Sequence, residues 1–522
     1  MGIILLMGIA EMSAMSAAPK NVSAFISLKV PGNEAKQYSL ILQEAQDGTY
    51  NCRANSELPL IITRKVTERD GKQRVNVVIN ALEDVYFNYG EQVKTGYKHA
   101  DCQFYMPGFW YRRNLRSPEK APSFHTSDSW LVREDRLSTP LTSIFNPVSR
   151  KSMSVLRIDK FDKDALATHK EGEVIVSGET SIGYTGFENV EGISVLSFGF
   201  PYKEAPKTYI RKLTLAPSVE AFQLLRKGDS ISLTWELAEV DAADFSECVQ
   251  RTWEYSYDTN RPQPVNTPYT VDRMKEVMSN FFVESYVNNT STHYYSGVEL
   301  ETATCASTDV AEIGFVGRTL LNAFNALEYG AQQNRADLVD NANSVFDTYL
   351  QNGFSQAGFF NEVVHYNRIS KDPVHSIRRQ SEGVYAVLNY LNYEKQQKRK
   401  HPEWEKRIKG ILDTFLRLQN ADGSFPRKFK DDFSLVDASG GSTPSATLPL
   451  VMAYKYFKDK RYLASAKRTV DYLEKELISK ADYFSSTLDA NCEDKEASLY
   501  AATATYYLAL VTKFAYLTHD AY

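Results

Sequence analysis

The sequence is poor in cysteine and histidine. Five cysteines (Cys52, Cys102, Cys248, Cys305 and Cys492) and eight histidines are spread through 522 residues. The cysteines are odd in number, with no CxxC pair and no Cys/His spacing that would frame a metal. A disulfide-stapled scaffold is excluded as the organising principle, and no metal or other cofactor is expected. Charge of one sign is also missing. Sixty basic and 65 acidic residues, mixed along the chain, leave a net charge of −5. No basic stripe is present, which argues against nucleic acid as a partner. Past the N-terminus no apolar run is long enough to span a bilayer.

What remains is a globular composition. Hydrophobic residues make up 43% of the chain, enough for sizeable cores, and the length allows more than one domain. Aromatics reach 12%, with 32 Tyr and 27 Phe. Such rings suit packed helices and sugar-stacking surfaces equally well. The opening "MGIILLMGIAEMSAMSAAPK" has a short apolar stretch and then small residues resembling an A-x-A cleavage site. It lacks a charged n-region, and Glu11 interrupts it, so residues 1–21 are expected to be a secretory leader clipped or mis-assigned at its start.

The chain is then written in two periods. Residues 22–253 read as strands: "QRVNVVINAL", "GEVIVSGETSIGYTGF", "ISVLSFGF" and "DSISLTWELAEV" alternate or are rich in β-branched and aromatic residues, with Gly, Asn, Asp and Pro turns between them. Many short strands predict an antiparallel β-sandwich. Residues 254–270, with three prolines and no periodicity, read as a linker. From residue 271 to 522 the pattern is helical, with eight helices expected near 271–286, 308–328, 335–351, 374–394, 403–419, 443–458, 461–477 and 495–516.

These helices alternate in kind. "ADLVDNANSVFDTYLQ", "EWEKRIKGILDTFLRLQ" and "RYLASAKRTVDYLEKEL" each have one charged face, whereas "GFVGRTLLNAFNAL", "GVYAVLNYLNY", "SATLPLVMAYKYF" and "ASLYAATATYYLALV" are apolar or small nearly all round. The first kind faces solvent and the second is buried. A weak repeat, "DTYLQNGFSQAGFF" against "DTFLRLQNADGSFP", recurs at an offset of 66 residues. Connections out of the buried helices are short, and those into them are long and rich in Gly, Asp, His and aromatics. Long irregular loops in compact domains are usually functional. The buried helices are therefore expected to start at one rim around a cavity, with their N-terminal N–H groups converging there.

Three loops supply candidates for that mouth. Before the helix near 374, His375, Arg378, Arg379 and Glu382 fall on one stripe, with Glu362 and His365 in the loop above. "DGSFPR" offers an Asp422 turn, a ring at Phe425 and Arg427, and Ser442, Thr443 and Pro444 look like a cap. "DANCEDKEAS" places Asp489, Glu493, Asp494 and Glu496 where the last buried helix begins. A helix start needs one or two carboxylates, not four. Crowded carboxylates raise one another's pKa, which keeps a general acid protonated. In the strand-rich half, "GFWYRRNLRSPEKAPSFHTSDSWLVREDRLSTP" carries Trp110 and the Arg133-Glu134-Asp135-Arg136 run, read either as an ion-pair lattice or as a substrate-binding loop.

A large sandwich, a linker and helical hairpins with "DGSFP"-type turns together resemble the six-hairpin glycosidase superfamily, the (α/α)6 toroids. More narrowly they resemble secreted two-domain carbohydrate enzymes of gut Bacteroidetes. The resemblance implies a multidomain β plus α protein, secreted, periplasmic or on the cell surface of a Gram-negative bacterium. Units of this length need about 400 residues for six hairpins, whereas 252 follow residue 270. About four hairpins are thus expected, in a chain incomplete at its C-terminus.

The expected partner is a carbohydrate. Glycoside hydrolysis would pair Glu382 with one of Asp489, Glu493 or Asp494, with the arginines suiting an acidic sugar. A lyase acting on uronates through His365, His375 and Arg379 is one alternative, and a non-catalytic glycan-binding protein is another.

Overall fold

The computed structural model describes residues 21–115, 120–211, 214–288, 292–294, 310–315, 317–366, 374–480 and 495–512. The expected leader, except Asn21, lies outside them. The chain divides into two compact units, Met1–Pro262 and Gln263–Tyr522.

In the first unit, seventeen strands among the described residues form one continuous pairing network. Strand Val85–Lys98 pairs with Val22–Lys29, Ile193–Phe200 and Thr214–Leu225, all antiparallel. Ser230–Asp241 joins Lys72–Ala81 to Lys151–Arg157. Side chains alternate across each strand, so Val75, Val77 and Ile79 turn to one face and are fully buried. Each such side chain contributes about 1.5–3 kcal/mol of burial. A one-residue slip of this strand would place all three in water.

The strands are followed by helix α1 (Phe245–Asn260). This corrects the expected linker, since residues 254–260 are helical. Asp244 caps the helix by accepting from the Glu247 N–H, and Glu247 pairs with Arg251 one turn on. Phe245, Cys248, Thr252, Tyr255 and Ser256 are its buried residues, and the Tyr255 hydroxyl donates to Glu236 on strand Ser230–Asp241. The prolines after residue 261 end the helix; they do not prevent it.

The second unit holds α2 (Val271–Glu284), α3 (Thr319–Gln333), α4 (Ala336–Asn352), α5 (Ile377–Gln396), α6 (Pro402–Leu418), α7 (Thr443–Phe457), α8 (Lys460–Glu476) and α9 (Lys495–Thr512). Helices α3, α5, α7 and α9 form a row, each packed on the next, while α4 packs on α3, α6 on α5 and α8 on α7. Helix α6 buries Trp404, Ile408, Ile411, Leu412 and Phe415, one stripe at helical spacing. Most of α7 is buried over its first three turns, from Thr443 to Ala453.

One helix begins later than expected. Residues Val310–Glu312 form a strand paired with Val363–His365, and α3 starts only at Thr319. Gly314 and Gly317 interrupt the apolar pattern, and each lets a glutamate side chain approach closer than a side chain of its own would permit. A Cβ on Gly314 would lie 2.1 Å from an oxygen of Glu382, and one on Gly317 2.6 Å from the Glu312 side chain. Phe315 and Arg318 adopt left-handed backbone (φ 57° and 39°). Such strain costs about 1–3 kcal/mol and gathers at functional sites.

Candidate active site

The starts of four helices meet around one cavity of about 260 Å³. Its walls come from the entry to α3 (Ile313, Arg318, Leu321), from α5 (Ser381, Glu382, Tyr385), from α7 (Ser445, Leu448, Pro449) and from α9 (Glu496, Leu499, Tyr500, Thr503). The expected common rim is therefore present.

Glu382 is the centre of the polar contacts. The Phe315 N–H donates to its Oε2 at 2.7 Å, and Arg378 Nε donates to its Oε1 at 3.3 Å. The Arg318 guanidinium lies 3.5 Å from Oε1, and the Tyr500 hydroxyl donates to the same oxygen. Every one of these partners is a donor. Arg378 is shared: its second arm lies 3.1 Å from Glu496. Burial disfavours the charge of Arg378, but Glu382, Tyr500 and Glu496 outweigh it and hold the guanidinium charged. Burial first, then Glu382, pushes the Tyr500 phenol upward, so it stays protonated. Arg378 also lies over the rings of Phe315 and Tyr500, which fixes its plane.

The remaining candidates fall elsewhere. Ser376 caps α5 by accepting from the Arg379 N–H, and Glu362 in turn accepts from the backbone and hydroxyl of Ser376. Glu362, with Arg379 at 3.8 Å, thus fastens the start of the helix that carries Glu382. His375 is fully buried, bonded to Asp431 at 2.8 Å and packed between Phe359 and Phe429. It supports the loop and does not line the cavity. His365 lies on the short ladder facing Val310.

The "DGSFPR" turn is a brace. Asp422 accepts from the Ser424 N–H and hydroxyl, and Gly423 takes φ 97° where a Cβ would meet the Arg468 carbonyl at 2.0 Å. Phe425 is fully buried against Phe415 and exchanges hydrogen bonds with Thr443 at the start of α7. Arg427 is buried beside Asp437 at 3.6 Å. The expectation that Phe425 stacks on a sugar is corrected, because its ring has no open face. Trp110, expected to bind substrate on its loop, is likewise corrected: it is buried among Phe124, Trp130 and Phe187. Arg133 pairs with Asp135, Arg136 with Glu204, and Glu134 lies near Arg157, so the run forms an ion-pair cluster. Asp489, Glu493 and Asp494 lie outside the described residues.

Arg318 and Tyr500 were missed by sequence reasoning. Arg318 was the lone charge in an apolar run flanked by glycines, which was the available signal; a tyrosine in "ASLYAATATYY" gave none. Among the described residues, no cluster of three or more His, Cys, Asp or Glu is placed to hold a metal, and no helix is long and apolar enough to cross a membrane.

No family model matches the chain. Among solved structures it is similar to a D-mannose isomerase (12% identity over 49% of this chain and 69% of that one, TM-score 0.39). It is also similar to an unsaturated glucuronyl hydrolase specific for heparin (13% identity over 50% and 73%, TM-score 0.38). A polysaccharide lyase matches across 96% of this chain and 85% of its own, at 11% identity and TM-score 0.36. The chemistry available to this chain is read from its own residues.

Proposed function

We propose that the protein is a carbohydrate-processing enzyme that hydrolyses glycosidic bonds in the cavity of the helical unit, which we take to be part of an (α/α) toroid joined to a β-sandwich. One observation carries the reading: Glu382 is fixed at the meeting point of four helix starts by donors alone. A carboxylate held this way serves as a base or nucleophile, oriented before substrate arrives. The proton donor is sought among Glu496, within reach of Arg378, and Asp489, Glu493 and Asp494, which precede it in the chain. Apolar walls with Ser381, Tyr385, Ser445 and Thr503 hydroxyls suit a sugar ring, which has both apolar faces and polar edges.

The lyase reading needs an ionised base near the arginines. Tyr500, the cavity tyrosine that donates to Glu382, is moved away from ionisation by burial with Glu382. His375 is sealed off by Asp431 and two phenylalanines. We also place the protein outside the cytoplasm, which cell fractionation would check.

Glu382→Gln keeps the shape and removes the charge. Turnover of a cleaved glycan should fall about 10²–10⁴-fold, read as released reducing ends on uronate-containing and neutral oligosaccharides. Activity that survives removes Glu382 from the mechanism. A product absorbing in the ultraviolet, from a new double bond, identifies a lyase instead.

A further inference from the structure

We infer that the strand-rich unit carries a second binding site, one that takes a carboxylate-bearing sugar ring. The site is a cavity of about 280 Å³ walled in part by Arg133, Arg136, His169, Lys170, Tyr202 and Thr208. It lies entirely within this unit and shares no residue with the helical cavity.

Three features favour that ligand. The first is charge. Arg133, Arg136 and Lys170 face a single carboxylate in the wall, Glu204, which Arg136 grips. Asp135 holds Arg133 in a two-pronged contact at 2.9 and 2.8 Å from outside the wall. Lys170 stands exposed at the rim, and because Asp135 and Glu204 match the two arginines, it leaves the site net positive. A planar carboxylate suits such a guanidinium-rich wall.

The second feature is an unanswered hydroxyl. Thr208 is 3% exposed, lines the cavity, and its Oγ1 has no hydrogen-bond partner among the described residues. Buried hydroxyls are nearly always paired, so this one points to a polar ligand atom. The third is shape. Leu166, Ile210 and Val219 add apolar wall, and the Tyr202 ring lies under Arg133 at 5.6 Å. An inorganic anion would use the cations and leave these surfaces unused, whereas a sugar acid presents a C–H face as well as a charge. The volume lies just below the roughly 300 Å³ at which pockets for larger ligands begin, and matches one terminal ring better than a long chain. The wall is also fixed in place. The Ala167 N–H donates to the Tyr202 hydroxyl at 2.8 Å, tying two wall residues together.

The test is affinity electrophoresis of the full chain in native gels containing polygalacturonate, with a neutral galactan gel as control. Wild type should be retarded by the acidic polymer alone. Thr208→Val and Lys170→Glu should each weaken the apparent Kd about tenfold, with melting temperatures confirming that both remain folded. Glu382→Gln should be retarded like wild type. Equal mobility of wild type and both variants overturns the proposal, as does equal retardation in galactan. Retardation lost in Glu382→Gln and kept in the two variants places binding in the helical cavity and also overturns it. Galacturonate added to the gel should release the chain at concentrations where inorganic sulfate does not; equal release by sulfate refutes the sugar assignment.

Discussion

The two units each contain an arginine, a glutamate and a tyrosine in contact, and the contexts differ. In the strand-rich unit Arg64 donates through Nε and Nη2 to Glu91, and the Tyr89 hydroxyl donates to Glu91 at 2.8 Å. All three are sealed, at 1%, 0% and 0% exposure. In the helical unit Arg378, Glu382 and Tyr500 repeat the chemistry, but Glu382 and Tyr500 line a cavity and Arg378 is divided between two carboxylates. In both, burial followed by the nearby glutamate pushes the tyrosine phenol upward. The contact set is thus the same, and access separates a structural ion cluster from a site. A sealed triad has nothing to offer a substrate. An open one has an acceptor oxygen, surplus donors and room beside them.

The largest effects should separate the two. Arg64→Met leaves Glu91 as an uncompensated buried charge, which costs about 3–5 kcal/mol. Urea unfolding of the strand-rich unit should show that loss, with turnover per folded molecule unchanged. Glu382→Gln should do the reverse, losing turnover while the unfolding midpoint moves little. If both substitutions act on stability alone, the helical triad is structural too and the cavity has no chemistry.

A third buried carboxylate tests the same contrast through pH. Glu134 is enclosed, with Arg157 3.8 Å away and one backbone donor, Gly183. Burial chiefly, offset by Arg157, pushes its carboxyl up to about 7 from the ordinary 4.5. The folded state therefore holds a proton that the unfolded chain releases near its ordinary value. Stability from this group is full below that value and is lost as pH rises through about 7. The loss amounts to about 3 kcal/mol across that window. Glu134→Gln should flatten the fall, measured by urea unfolding at several pH values. A fall that persists unchanged would assign the titration to another group.

How much of this was legible in the sequence follows from the kind of signal. Alternation in "QRVNVVINAL" gave the strand and its buried face, because a period of two is local. The stripe that put Arg378 and Glu382 together was equally local, being one helical turn. The buried–amphipathic alternation from 308 onward gave the row α3, α5, α7, α9. The start of α3 was misplaced because an apolar run hides a short strand, and only Glu382, from α5, explains why Gly314 must be glycine. The ends of Arg318 and Tyr500 meet Glu382 from helices far apart in the chain, and no periodicity reports that. Phe425 was read as a ring at the cavity mouth and Trp110 as part of a substrate-binding loop, because an aromatic near a turn looks the same in sequence whether its ring faces a cavity or a core.

Gly314 sharpens the comparison at intermediate cost. A methyl group there would sit 2.1 Å from the Glu382 oxygen, so Gly314→Ala must displace either the carboxylate or the loop. A shift of about 1 Å costs around 10²-fold in rate, and the overpacking about 1–3 kcal/mol in stability. Gly90 is the matching position beside the sealed triad, where a Cβ would meet Tyr184 at 2.3 Å and Phe25 at 2.4 Å. Gly90→Ala should cost stability with no change in turnover per folded molecule. Unfolding midpoints paired with kcat distinguish the two.

The smallest effect is the most discriminating. Tyr500→Phe and Tyr89→Phe each delete one hydroxyl from a glutamate. In the sealed triad nothing replaces it, so Tyr89→Phe should cost about 1.5–3 kcal/mol, the range for a hydrogen bond to a charged group. Beside the cavity a water can take the vacated place at little cost, so Tyr500→Phe should move the unfolding midpoint far less. Its effect should appear instead in kcat, as a loss of about tenfold, because a replacement water orients Glu382 less rigidly than a phenol fixed on α9. Equal stability losses from the two substitutions would mean that Tyr500 is sealed as tightly as Tyr89. Glu382 would then lack the opening on which its catalytic role depends.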